Sequence, residues 1–227
     1  MINIVIAAGY ATRLGELTKN FPKPLLEIGK TTILGRMLDD IDRIPQITEH
    51  VIVTNHKFAH IFEEWAAKQT YTKPIRIIDD GTETNETRLG AVCDLILAIK
   101  SLPNPSEGGA MVPHNLTTSQ PHNPTPSACD LLVVAADNIL HFSFPEFVDF
   151  ATQKQTPCIM CHEQPSIEKL QRTGVVGRDE NDKVVNMEEK PQQPKSHWAV
   201  PPFYIYLQKD LDLVRNSVAN GCGKDAP

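Results

Sequence analysis

The sequence has no apolar run approaching the roughly 20 residues that a membrane span needs. It has no basic surplus either: 22 lysines and arginines stand against 28 aspartates and glutamates, a net charge of −6. A bulk nucleic-acid binder displaces counterions with a cationic surface, so that class is excluded, whereas a small anion held by a few cations in one pocket is not. Cysteine is scarce, and five residues, odd in number and widely spread, read as reduced thiols and not as a disulfide framework. No charged leader or cleavage site precedes the first apolar stretch, so a cytoplasmic protein is expected. What is present is ordinary: 227 residues, 41% hydrophobic and 22% charged, enough to bury one full core.

Strand patterns fall at 2–7, 50–54, 75–79, 131–136, 157–161, 174–178, 183–188 and 203–207, several of them continuous apolar runs, as strands covered on both faces require. Helical stripes lie between the early ones. Ile33, Leu34, Met37, Leu38 and Ile41 share a face in 32–44, with Thr31 or Thr32 as N-cap. Phe58, Ile61, Phe62 and Trp65 do so in 57–68, and Leu89, Val92, Cys93, Ile96 and Ile99 in 86–100. Strand–helix alternation up to residue 136 predicts a three-layer α/β fold with a mixed, mostly parallel sheet. The crowded short strands after 157 predict a small β-rich extension over one end of it. Residues 1–227 then form a single domain, with 1–156 as its α/β part and 157–227 as its β-rich part.

Two segments invite other readings. Residues 103–130 carry six prolines and little apolar periodicity, the composition of a mobile loop; their two His-Asn pairs lack acidic or thiol partners at metal-ligand spacing. Cys158-Ile-Met-Cys161-His162 spells the C-x-x-C-H of covalent haem attachment, but its setting suits an interior strand, so two core cysteines are expected.

The stretch "AAGYATRLGELTKNFPKPLL" leaves the first strand directly. In doubly wound sheets ligands sit beyond the carboxyl ends of strands, where such loops depart. Ala7, Ala8 and Gly9 keep side chains out of the way so that backbone N–H groups can face a ligand. Arg13 offers a planar fork suited to phosphate, and Lys23 adds a point charge. The loop lacks the second and third glycines of the dinucleotide fingerprint, and no G-K-[ST] follows as in a Walker loop. By itself it is equally a tight strand-to-helix turn with surface cations.

Four segments in order resemble one family. "AAGYATRL…FPKPLLEIG" is similar to the opening of the sugar-phosphate nucleotidyltransferases, the nucleoside-diphosphate-sugar pyrophosphorylases, with Ala11 where their pattern has its second glycine. "DDGTETNETRLGAVCDL" resembles the segment bordering their base, "LLVVAADN" the strand that ends in their metal-binding aspartate, and "GVV…VVNMEEKP" their acceptor-site strands. The likeness spans about residues 1–219. It implies a glycosyltransferase-A-like, Rossmann-like fold, and an enzyme joining a nucleoside triphosphate to a sugar 1-phosphate with magnesium, releasing pyrophosphate. It further implies that Ala7, Ala8, Gly9 and Thr12 approach the nucleotide, that Arg13 binds the β- and γ-phosphates, and that Lys23 lies against the α-phosphate. Asn85 and Arg88 fall on the base side. Asp137 matches the magnesium ligand, Gly174 a glycine whose backbone meets the sugar, Glu189 the group for sugar hydroxyls and Lys190 that for the sugar phosphate. Arg13, Lys23 and Asp137 are the expected catalytic groups; a homo-oligomer stays open.

The family's second metal-ligating aspartate, in a late W-x-D-I-G-like motif, has no counterpart before "NGCGKDAP", where Asp225 is the one acidic residue. The chain therefore reads as truncated or shortened, and a protein that binds a triphosphate yet turns over below the usual range of about 1–1000 per second is expected. Three other readings stand beside this one. A catalytically weak nucleotide-binding module fits Ala11 and the late gap. A cytidylyltransferase with a non-sugar phosphate or phosphonate acceptor fits the opening motif and the late aromatics Trp198, Phe203, Tyr204 and Tyr206. A glycosyltransferase fits less well, because the strand-end motif is Asp-Asn and not Asp-x-Asp.

Overall fold

The computed structural model describes residues 1–102, 129–139 and 142–223, with Arg13 described through its backbone alone. The proline-rich segment up to residue 128 and Asp225 lie outside the described residues. In chain order come β1 (Ile2–Ile6), α1 (Glu16–Lys19), the hairpin β2 (Glu27–Ile28) and β3 (Thr31–Thr32), α2 (Ile33–Ile41), β4 (Glu49–Thr54), α3 (Ala59–Ala66) and β5 (Ile75–Asp79). Then follow α4 (Ala91–Lys100), β6 (Leu131–Ala135), α5 (Phe144–Lys154), β7 (Cys158–Ile159), β8 (His162–Glu163) and α6 (Ile167–Leu170). The last elements are β9 (Gly174–Arg178), β10 (Val184–Glu189), β11 (Trp198–Val200), β12 (Phe203–Tyr206) and α7 (Leu211–Arg215).

The main sheet runs β5-β4-β1-β6-β12-β7. β1, β4, β5 and β6 are mutually parallel, and β12 joins antiparallel to β6 and β7. Because side chains alternate across a strand, each parallel strand feeds two cores. Val5, Ile52, Leu132 and Val134 face the stripe of α2 (Leu34, Met37, Leu38, Ile41), Phe62 of α3, and Phe147 and Val148 of α5. Ile2, Ile4, Val51, Val53, Leu131 and Val133 face Leu95, Ala98 and Ile99 of α4 and Leu211 of α7. Helices on both faces of a mostly parallel sheet give the expected three layers. The extension after 157 is a second, antiparallel sheet, β10-β9-β11-β8.

Thr32 is the cap of α2, its hydroxyl accepting from Gly35 N–H at 2.9 Å. Several boundaries differ from the sequence reading. The 57–68 pattern opens as a 3-10 turn, His56–Phe58, capped by Asn55. In the 86–100 pattern the helix starts at Ala91, since Gly90 at φ 95 breaks the chain direction just before it. Its buried face is Val92, Asp94, Leu95, Ala98 and Ile99, a shift that leaves Cys93 and Ile96 half-buried and puts a carboxylate inside. The 157–161 run supplies only two residues to β7, because the chain crosses at that point to the second sheet. Cys158 is therefore core, whereas Cys161 is half-buried at the crossing; burial pushes both thiols up. Neither α5 nor α7 was expected, although Phe144, Phe147, Val148 and Ala151 have helical spacing behind Pro145.

A buried polar network locks the lower edge of the sheet. Asp42, the C-cap of α2, accepts from Thr72 N–H (2.9 Å), Thr72 Oγ1 (3.0 Å), Lys73 N–H (3.0 Å) and His50 Nε2 (3.2 Å). Burial raises its carboxyl, and these donors outweigh that and hold it at about 2, below the ordinary 3.8. His50 Nδ1 meets Asn3 Nδ2 at 3.0 Å. An amide nitrogen only donates, so Nδ1 accepts and the neutral ring carries its proton on Nε2, toward Asp42. Burial keeps His50 below the usual imidazole range, with Asp42 opposing.

Candidate active site

The loop after β1 is fixed from several directions. Ala7 N–H donates to Val53 O at 2.8 Å, and the fully buried Asn55 donates to Ala8 O at 3.0 Å while its Oδ1 caps Phe58 N–H. Thr18 Oγ1 donates to Ala11 O at 2.9 Å. Gly9 has no packing reason to be glycine, because a Cβ there would meet nothing within 4 Å; the space it leaves belongs to the cleft. Ala11 sits at φ 48, ψ 37, the left-handed region where a side chain is strained. Ala11→Gly is expected to stabilise the fold by about 0.5–1 kcal/mol, the relief of that strain outweighing the extra freedom of glycine in the unfolded chain. Urea unfolding measures it, and a loss of stability would show the strained turn to be compensated elsewhere.

Between this loop and the ends of the neighbouring elements lies a cleft of about 240 Å³. Its walls bring together Ala7, Ala8, Gly9, Lys23, Arg88 and Asp137 of the expected residues, and add Ala11 and Asp94. Lys23 comes in on a 3-10 turn, Lys23–Leu25, set by the prolines on either side of it. Its ammonium donates to Asp137 Oδ2 at 2.8 Å, and Asn138 Nδ2 donates to Asp137 Oδ1 at 3.1 Å. Asp137 follows β6, so the cation–carboxylate pair lies on the β6 side of the loop, beyond the carboxyl edge of the sheet.

Asp94 was not singled out from the sequence. It is 3% exposed, lies in the first turn of α4 and acts on the carboxyl of Asp80, which directly follows β5. Burial raises the Asp80 carboxyl, with Thr82 and Asp94 opposing. The strand order β5-β4-β1-β6 sets Asp80 and Asp137 on opposite sides of the β1 loop, and Asp94 lines the same cleft as Asp137. The one sequence signal for Asp94 was a charge inside an apolar stripe, "VCDLI".

Thr12 and Asn85 line a neighbouring hollow with Tyr10, Lys19 and Lys57, so they are not in the cleft walls. Tyr10 OH meets Thr82 Oγ1 at 3.1 Å and burial pushes its phenol up. The acceptor-side residues sit on the second sheet. Gly174 pairs in register with Glu189, and a Cβ on it would press on Glu189 Oε2 and Met187 Cε at 3.4 Å. Lys190, at φ 46, folds back so that its ammonium lies 2.7 Å from Glu189 Oε1. An apolar hollow of about 350 Å³ shares Ile6, Ala91 and Ala135 with the cleft and is lined by Tyr204 and Tyr206. Burial raises the Tyr204 phenol, with the neighbouring Tyr206 and the charge of Glu189 adding to it.

Among the described residues no group of three His, Cys, Asp or Glu could hold a metal by itself. A carboxylate that already holds one cation fits a magnesium ion which takes its remaining ligands from phosphate and water. No helix among the described residues is long and apolar enough to cross a membrane.

Residues 2–221 match the family model described as nucleotidyl transferase. The glucose-1-phosphate adenylyltransferase of Fervidobacterium nodosum is 25% identical over 234 residues, covering 99% of this chain and 51% of its own. That of Clostridium novyi is 24% identical over 221 residues, covering 93% and 52%. The chain thus spans about half the length of the curated relatives it matches. Among solved structures, a Bacillus anthracis protein assigned as a glucose-1-phosphate thymidylyltransferase, in complex with sucrose, superposes with a TM-score of 0.70 at 21% identity, over 94% of this chain and 74% of that one. A UDP-glucose pyrophosphorylase complexed with UDP-glucose gives 0.67 at 16%, over 94% and 78%. At these identities the structural likeness establishes the fold.

Proposed function

The chain belongs to the nucleotidyl transferase family, and from that premise we propose that it transfers a nucleotidyl group from a nucleoside triphosphate to a sugar 1-phosphate. The observation that carries this reading is the cleft itself, where the bare loop Ala7–Gly9 faces Lys23 and Asp137. A phosphate oxygen of the sugar phosphate attacks the α-phosphorus in line, the bond to the β-phosphate oxygen breaks, and pyrophosphate leaves with its electron pair. No covalent enzyme intermediate is required, so the chain's work is positioning and charge neutralisation. Backbone N–H groups at 8 and 9 orient the nucleotide, Arg13 takes the outer phosphates, and Lys23 takes the α-phosphate. Arg88 and Asn85 border the base. A magnesium ion on Asp137, when bound, supplies further neutralisation of the phosphates. Gly174, Glu189 and Lys190 hold the sugar phosphate from the second sheet. In this reading 1–156 is the nucleotide-binding part and 157–227 the acceptor part of one domain, in a cytoplasmic enzyme.

Pyrophosphate release, screened with ATP, GTP, UTP, CTP and dTTP against several sugar 1-phosphates, tests the assignment; triphosphate binding without release for any pair favours a binding module instead. Phosphocholine and a phosphonate among the acceptors test the non-sugar alternative. Lys190→Ala is expected to weaken the sugar phosphate by about ten- to a hundredfold, the loss of one charge-assisted contact of roughly 1.5–3 kcal/mol, and to leave the triphosphate nearly unchanged. Equal losses in both KM values would remove Lys190 from the acceptor side.

A further inference from the structure

The cleft contains a cation where a metal ion would act. Lys23 Nζ lies 2.8 Å from Asp137 Oδ2, and Asn138 turns the other carboxylate oxygen toward itself. With its ammonium on Asp137, Lys23 is directed to the carboxylate and not to an incoming phosphate. The pair is 30% and 49% exposed on its two sides, so water competes for both partners and it separates readily. We propose, on the reading of the cleft given above, that Lys23 is a stand-in for the divalent cation on Asp137, and that the two exchange when the nucleotide arrives.

The reason is electrostatic. A triphosphate entering a metal-free cleft meets a carboxylate that repels it and a lysine already neutralised by that carboxylate. When a divalent cation takes over Asp137, the carboxylate is neutralised and the ammonium is set free for a phosphate oxygen. One ion thus removes a repulsion and supplies an attraction, which couples metal and triphosphate binding in both directions. The device keeps the cleft from filling with metal-free nucleotide, which would lack the charge neutralisation the transfer needs. Lys23 is the positioning residue of this exchange, and Asp137 is the site over which the two cations compete.

Calorimetric titration with ATP, GTP, UTP, CTP and dTTP is carried out in excess Mg²⁺ and again in EDTA. The wild-type protein should bind its preferred triphosphate at least tenfold more tightly with Mg²⁺. Asp137→Asn should lose that Mg²⁺ dependence, and in EDTA it should bind at least tenfold more tightly than the wild type, because its Lys23 is free. In the double variant Lys23→Met/Asp137→Asn the gain should disappear. A gain that persists in the double variant would mean that Asp137 merely repels, and would overturn the exchange; so would Asp137→Asn binding no better than wild type in EDTA. Asp137→Ser replaces Asp137→Asn if thermal unfolding shows the asparagine variant to be unfolded. A wild-type protein that binds none of the five triphosphates in Mg²⁺ would remove the nucleotide reading together with the exchange, whereas Mg²⁺-dependent binding without the Asp137→Asn gain removes the exchange alone.

Discussion

Asp42→Ala is expected to destabilise the protein by about 3–5 kcal/mol, through the loss of one buried carboxylate and the stranding of its donors. Four hydrogen bonds converge on this group from the 72–73 segment and from His50, and they join the end of α2 to β4 and to the entry of β5. With the carboxylate gone, the N–H groups of Thr72 and Lys73 and the Nε2–H of the fully buried His50 lose their acceptor. For a chain of this length the drop in Tm is roughly 6–20 °C. A shift below 2 °C would show that water replaces the carboxylate and that the network is not structural.

The same group sets an acid limit. Its pKa is about 2 in the fold against an ordinary 3.8, so the unfolded chain binds the proton first as the pH falls. The stabilisation is fully present above about 4 and is lost as the pH drops through about 2, amounting to roughly 2 kcal/mol. His50 acts in the same direction at higher pH. Its folded pKa is depressed by burial, so the unfolded state takes up a proton first below about 6.5 and stability declines from there. Wild-type stability followed by urea unfolding should therefore fall in two stages on acidification. Asp42→Ala should abolish the lower stage.

Lys23→Ala is expected to reduce nucleotidyl transfer by about 10²–10³-fold at saturating substrates, the range found when one preorganised donor to a developing charge is removed. Its ammonium reaches the cleft on a short turn held by two prolines, and it meets Asp137 from 114 residues away. Folding stability should change little, since a pair this exposed contributes about 0–1 kcal/mol. The measurement is kcat alongside Tm for the same preparation. A large drop in Tm with kcat per folded molecule intact would make Lys23 a structural residue. Lys23→Arg should restore only part of the rate, because a planar fork does not reproduce a point charge.

The parallel strands of the main sheet and the loop after the first of them were legible in the amino-acid sequence, whereas β2, β3, β8 and β11 were not. Runs such as Ile2–Ile6 and Leu131–Ala135 are apolar at every position because both faces are covered, and that pattern is local. The cap at Thr32, the side-chain-free turn at 7–9 and the cations behind it were legible for the same reason, as neighbours in the chain. Helix boundaries were less so: Leu89 continued an apolar stripe that Gly90 ends through its backbone angle, which the pattern does not contain. What tertiary structure alone decided is which distant residues face each other. The crossing from β7 of the main sheet to β8 of the second sheet put Cys161 at a junction and not in a core. The order β5-β4-β1-β6 set Asp80 and Asp137 on opposite sides of one loop, while Thr12 and Asn85 line a hollow beside the cleft that holds Arg88. Nothing in the sequence marks Asp42 or His50; it is packing that removes water from them. Periodicity records whether a side chain is covered, not what covers it, so the partners of Lys23, Asp42 and Asp94 came only with the fold.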